Sequence, residues 1–212
     1  MTTSTEIQKK LEWRYATKAF DPAKKIPAEK WETLENSLLL APSSMGLQPW
    51  KFIVVENADL RAKLRPVSYN QSQITDASHL VVLAAHKGVD EKFIDRYVDR
   101  IMQVRGVTRE SLAGYEKSMK DALLTRTDKN TWAARQAYIA MGFILETAAL
   151  LEVDACPMEG FNPAAYDELL GLNSTEYGSV AVVALGYRSP QDPFQNAAKV
   201  RFPKAEVLTH IK

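Results

Sequence analysis

The chain has 212 residues, 46% hydrophobic and 25% charged, ordinary globular values at a length suited to one large or two small domains. Its net charge of +1 gives no overall pull toward nucleic acid or an anionic membrane surface. One cysteine, Cys156, excludes an intramolecular disulfide and a cysteine-based metal cluster; within Val153-Asp154-Ala155-Cys156-Pro157 it reads as a buried small position. The stretch from Met1 to Glu6 has no basic start or apolar core, so no signal peptide is expected and a cytoplasmic location is.

Thr5-Glu6-Ile7-Gln8 fits a capping box, opening a helix that ends near Arg14. Arg14 to Phe20 reads as the helix end and an extended piece, broken by Asp21-Pro22. Pro27 suits a first helical turn, Trp31, Leu34 and Leu38 recur at helical spacing, and Pro42 stops that helix. Ala41-Pro42-Ser43-Ser44-Met45-Gly46-Leu47-Gln48-Pro49-Trp50 then connects helix to strand while presenting hydroxyls and backbone donors. Lys51 to Glu56 reads as a strand, Asp59 to Val67 as a short charged helix, and Leu80 to Ala85 as a central strand covered on both faces.

Asp90 to Arg105 has apolar residues at four-residue spacing, and Thr108 to Thr127 reads as a more exposed helix. Ala137 to Leu145 carries no charge, so the helix from Trp132 to Leu151 is expected in a core or a subunit interface; Arg135, Gln136 and Glu146 make it a poor membrane span. Asn162 to Leu170 is a short helix, Ser179 to Tyr187 a strand, and Ser189 to Lys212 an irregular tail with apolar residues suited to wrapping another surface. Few strands among many helices give one α+β domain.

No Gly-x-Gly-x-x-Gly, Walker motif or Gly-x-Ser-x-Gly elbow is present, and His79, His86 and His210 lack metal-ligand spacing. Polar residues at element ends remain. Arg14 with Arg201 has the chemistry to grip a phosphate, with Lys199 as an added point charge. Taken singly, each reads as a solvated surface residue, so composition and spacing stop at an α+β domain with anion-binding potential.

Arg14-x-x-x-Lys18-x-Phe20, Pro42-Ser43-Ser44 with Gln48-Pro49-Trp50, Pro157-x-Glu159-Gly160-Phe161 and Lys199-x-Arg201 resemble the FMN-dependent nitroreductase family. The likeness is nearest to its oxygen-insensitive NAD(P)H nitroreductase and dihydropteridine reductase branch, as is Asp76-Ala77-Ser78-His79, and it runs from Arg14 to Arg201. The resemblance implies a nitroreductase-like α+β fold, a central mixed or antiparallel sheet surrounded by helices, in an intertwined homodimer with two interfacial FMN sites. It implies one domain over residues 1–212, with a helical excursion at about 90–128 over the substrate mouth and a 189–212 extension wrapping the partner.

By position, Arg14, Lys199 and Arg201 would hold the flavin phosphate, with Tyr15 and Ala16 beside them. Lys18, Asn70 and Gln73 would meet the pyrimidine edge. Pro42, Ser43, Ser44 and Gly46 would reach the same FMN from the partner. Pro157 and Met158 would lie by the ring, with the Glu159 and Gly160 amides facing N5 and O4.

The implied activity is two-electron, ping-pong transfer from NAD(P)H through FMN to nitroaromatic, quinone or related conjugated acceptors. No side chain need be catalytic and no metal is expected. The rivals are a flavin, dihydropteridine or enone reductase on the same fold, a flavin-binding protein without turnover, and a non-enzymatic dimer. Gln73 stands where known members carry a basic residue, Ala16 where many carry serine, and Met45-Gly46 where the pair is more polar. These departures imply a weaker pull on the reduced flavin, one fewer phosphate contact and a more apolar mouth.

Overall fold

A computed structural model describes residues 3–212. Met1 and Thr2, part of the stretch read as lacking a signal peptide, lie outside them. The first helix, α1 (Ser4–Trp13), is capped two residues earlier than expected, at Thr3 rather than Thr5. Thr3 Oγ1 accepts the Glu6 amide and Glu6 Oε2 accepts the Thr3 amide at 2.7 Å. The carboxylate at Glu6 wins over the neutral amide of Gln8 because negative charge is favoured at a helix N-terminus.

Eight further α-helices and four strands follow among the described residues. They are α2 (Ala28–Leu39), β1 (Trp50–Val54), α3 (Ala58–Leu64), α4 (Gln73–Asp76) and β2 (His79–His86). After these come α5 (Glu91–Arg105), α6 (Arg109–Leu124), α7 (Lys129–Leu150), β3 (Asp154–Met158), α8 (Pro163–Leu169), β4 (Tyr177–Gly186) and α9 (Lys204–Val207). Pro27 proves to be the N-cap of α2 rather than its first helical residue.

The sheet order is β1-β2-β4-β3, antiparallel throughout. Alternation splits the central strand between two cores. Val81 and Leu83 face α2 and α7 with Leu34, Leu38, Ala140 and Ile144, whereas Leu80 and Val82 face Leu64, Ile74 and Tyr166. The third core joins Phe93, Ile94 and Val98 of α5 to Met119 and Leu123 of α6 and Trp132 of α7.

β3 was not foreseen in the sequence. Its five residues include a proline and an aspartate, but it is an edge strand, where a missing donor is tolerated. Asp154 is buried because Arg188 Nε and the Arg188 amide bond it at 2.7 and 2.8 Å. Helix α7 buries Ala137, Ala140, Ile144 and Ala148 but leaves Ile139 and Phe143 about two-fifths exposed (41% and 42%), so one apolar stripe is uncovered in the single chain. No helix among the described residues is long and apolar enough to cross a membrane.

Candidate functional site

The outer edge of β3 is lined by the extended Arg14–Phe20 segment. Ala16 forms an isolated parallel bridge to Ala155, and the Thr17 amide donates to the Ala155 carbonyl at 3.3 Å. The start of the tail secures this segment. The Asp192 carboxylate accepts the amides of Lys18, Ala19 and Phe194 at 2.7, 2.8 and 2.8 Å. Burial opposes its charge, but these amides outweigh burial and hold its pKa below the usual range. The Arg188 guanidinium lies over the rings of Trp13 and Tyr15, 4.3 and 4.6 Å from their centroids.

Arg14, Tyr15, Ala16, Lys199 and Arg201 all line one cavity of about 570 Å³ beside this edge. Lys199 Nζ donates to the carbonyls of Leu11 and Arg14, which draws the tail onto the end of α1. Burial lowers the pKa of Arg14, and the nearby Arg201 charge lowers it further; Lys199 is lowered by burial and then by both arginines. None of the three has a carboxylate within 4.0 Å among the described residues. Glu12 lines the same cavity and partly offsets the Lys199 charge, but three cations against one carboxylate leave a net positive site suited to a multiply charged anion such as a phosphate monoester.

Next along β3, Lys18 Nζ lies 4.0 Å from the Sγ of Cys156. Burial pushes that thiol up, opposed by Lys18 and by a hydrogen bond from the buried Gln73 side chain. Lys18, Gln73 and Cys156 therefore meet at one point near Arg14.

Beyond Pro157 and Met158 the chain turns at Glu159-Gly160, closed by the Phe161 amide on the Glu159 carbonyl at 2.9 Å. Gln71 Nε2 donates to the Gly160 carbonyl at 2.8 Å, and Tyr138 Oη donates to the Glu159 carboxylate. A Cβ on Gly160 would sit 3.1 Å from Gln71 Nε2 and 3.6 Å from the Tyr69 ring, so the 69–71 turn abuts it. Asn70, at φ 56°, lies within that turn. The amides of Glu159 and Gly160 donate to no protein acceptor among the described residues. The two free donors lie in the turn that follows β3, and the three cations lie beside the segment bridged to Ala155 near its start; donors of these two kinds suit a flat heteroaromatic ring and a phosphate tail.

Pro42, Ser43, Ser44 and Gly46 lie elsewhere. The Ser44 amide donates at 2.8 Å to Oε1 of Gln136, a buried residue of α7, whose Nε2 donates to the Trp132 carbonyl. Ser43 Oγ accepts the Gln48 amide at 2.9 Å. No hydrogen bond joins this loop to the Arg14, Lys18 or Glu159 groups among the described residues. The expected site residues thus form two sets in one chain, one along β3 and one over α7.

Sequence reasoning missed Gln71, Gln136, Tyr138 and Asp192. Gln136 left a signal, being a polar letter on the core side of an apolar helix, where a buried amide needs a partner. The others look like surface residues until the fold joins distant segments.

The nitroreductase family's sequence profile matches residues 11–187. This chain belongs to the nitroreductase family. A Staphylococcus haemolyticus member named "Putative NAD(P)H nitroreductase SH0546" is 34% identical over 211 residues, 94% of each chain. Among solved nitroreductase folds, one from Exiguobacterium sibiricum in complex with FMN superposes at TM-score 0.80, with 20% identity over 100% of this chain and 98% of that one. CLA-ER, described as an enone reductase of gut-bacterial fatty acid saturation, superposes at 0.81 with 20% identity over the full length of both. The fold is therefore the nitroreductase fold.

Proposed function

We propose that the chain is an FMN-dependent NAD(P)H oxidoreductase of the cytoplasm, reducing nitroaromatic, quinone or related conjugated acceptors by two electrons in a ping-pong cycle. The observation that carries the reading is the Arg14, Lys199 and Arg201 cluster, which keeps a net positive charge beside Glu12 in a cavity near β3 in a nitroreductase-family chain. When bound, FMN supplies the hydride chemistry, accepting at N5 from NAD(P)H and donating to the acceptor.

The protein's part is to hold and polarise. Arg14 offers a planar fork to the phosphate, and Lys199 and Arg201 add charge. Lys18 and Asn70 take the pyrimidine edge, where Lys18 favours negative charge building at N1 and O2. Neutral Gln73 contributes a dipole in place of a cation, so the pull there is weaker than in members with a basic residue. The Glu159 and Gly160 amides would face N5 and O4, with Pro157 and Met158 along the ring.

The second set completes the site in a homodimer. Three features support this assembly: the uncovered Ile139 and Phe143 on α7, the free edge of β1, and a tail exposing Val200, Phe202 and Ile211. In that dimer Pro42, Ser43, Ser44 and Gly46 serve the partner's FMN, and the 189–212 tail wraps the partner.

Purified protein should be yellow, and anaerobic NADH or NADPH should bleach it; an acceptor panel then restores the colour. Colourless protein that ignores added FMN defeats the reading. Yellow protein that neither nucleotide bleaches is a flavin-binding protein without turnover.

A further inference from the structure

The loop after α2 is tied to the helical excursion by two tyrosines. Tyr115 of α6 donates its hydroxyl to the Met45 carbonyl at 2.7 Å. Tyr97 of α5 places its Oη over Gly46, where an added Cβ would lie only 2.2 Å away. The backbone between these contacts is left-handed at three residues, with φ of 55° at Met45, 69° at Gly46 and 49° at Gln48. For methionine and glutamine that conformation is sterically disfavoured, so it persists only where surrounding contacts over-determine it. Gln136 bonds the Ser44 amide at 2.8 Å, Tyr115 bonds the Met45 carbonyl, and the Tyr97 hydroxyl packs on Gly46.

We propose that Tyr97 and Tyr115 are positioning residues for the flavin. They hold Met45 and Gly46 in the one backbone form that presents Ser43, Ser44 and Gly46 to the cofactor. The inference rests on the assignment of this loop to FMN given above. It makes the excursion more than a substrate wall, because the helices that shape the acceptor mouth also set how tightly flavin is retained. Neither tyrosine need touch FMN.

The test titrates apoprotein with FMN by fluorescence quenching and follows amide exchange over residues 44–48. Tyr115→Phe keeps the ring and loses one hydrogen bond, so FMN affinity should fall about fivefold to tenfold and loop exchange should quicken, with β2 and β4 amides unchanged. Gly46→Ala should weaken FMN strongly. Adding Tyr97→Phe removes the 2.2 Å clash, leaving the ring carbon at 3.2 Å, and should recover part of that loss. A merely structural role would lower the unfolding temperature and rescue nothing.

Ser44→Ala separates the loop's contact with flavin from its positioning by the tyrosines. If it weakens FMN while Tyr115→Phe does not and Tyr97→Phe rescues nothing, the loop serves flavin and the positioning role is overturned. If neither Ser44→Ala nor Gly46→Ala changes FMN affinity, the assignment of the loop fails and the proposal falls with it, whatever the exchange rates.

Discussion

Tyr138 is held protonated across any working pH, its pKa pushed up to about 12 by burial and then by the Glu159 carboxylate it donates to. That bond fixes the turn whose amides are free. Tyr138→Phe should cost about 1 kcal/mol of stability by chemical unfolding and loosen FMN, with the larger effect on the cofactor. Equal stability and equal FMN affinity would remove Tyr138 from the site. His86 poses a different residue-scale question. It is buried between Phe93 and Tyr177 with Nδ1 unpartnered, and burial lowers its pKa despite Glu176 and Asp90; Arg96 lowers it further. A native pKa below the unfolded 6.5 means the unfolded chain binds the proton first, so stability is complete above pH 6.5 and declines as pH falls below it. Urea unfolding at pH 7.5 and 5.5 should show this loss shrinking in His86→Gln; an identical loss assigns it elsewhere, with His79, also lowered by burial, the next candidate.

At the scale of elements, α5 and α6 are joined by a charge network. Arg109 meets Asp95 and Glu116 at 2.6 and 2.9 Å, and Lys120 meets Glu91, Asp95 and Glu116 at 2.6, 3.2 and 2.8 Å. Glu116 is lowered from 4.5 to about 2, chiefly by its hydrogen bonds from Arg109 and Lys120. Its contribution is therefore complete above pH 4.5 and lost as pH falls toward about 2. These groups sit near water, so high salt should weaken the helix pair at neutral pH as well. Amide exchange in α6 should quicken at 1 M salt in the native protein but much less in Glu116→Gln; equal responses would show that the apolar contacts of Met119 and Leu123 hold the pair alone. The helices here were legible because Phe93, Ile94, Val98 and Ile101 keep a strict period. β3 was not, since an aspartate, a cysteine and a proline carry no alternation and the strand is set by its pairing with β4, by Arg188 on Asp154 and by the Ala16 bridge, all distant in sequence. The cap of α1 was misplaced because Thr3-x-x-Glu6 and Thr5-x-x-Gln8 both fit the pattern, and only charge separates them.

For the whole molecule, the all-round apolarity of α7 is that of a helix in a core or a subunit interface, and Ile139 and Phe143 are the part of it that the single chain leaves uncovered. Phe143→Arg should give monomers by sedimentation and release FMN in the same concentration range; flavin retained by monomer would show that one chain makes a full site. The α+β class and the longer helices could be read from periodicity; the four-residue α4 and α9 could not, because a single turn carries no period. The site could not, because Arg14, Lys18, Cys156 and Lys199 are brought together only by the pairing of an extended segment with β3 and by the return of the tail. Their roles came from resemblance. The spatial division of the site residues has a genetic corollary. If each pocket takes its cations from one chain and its loop from the other, a chain lacking Arg14 and a chain with a ruined Ser44 loop are both inactive alone. Mixed in one cell, they assemble pairs in which one pocket inherits both defects and the other inherits neither. Two null alleles should then complement, restoring up to half the activity per mixed pair.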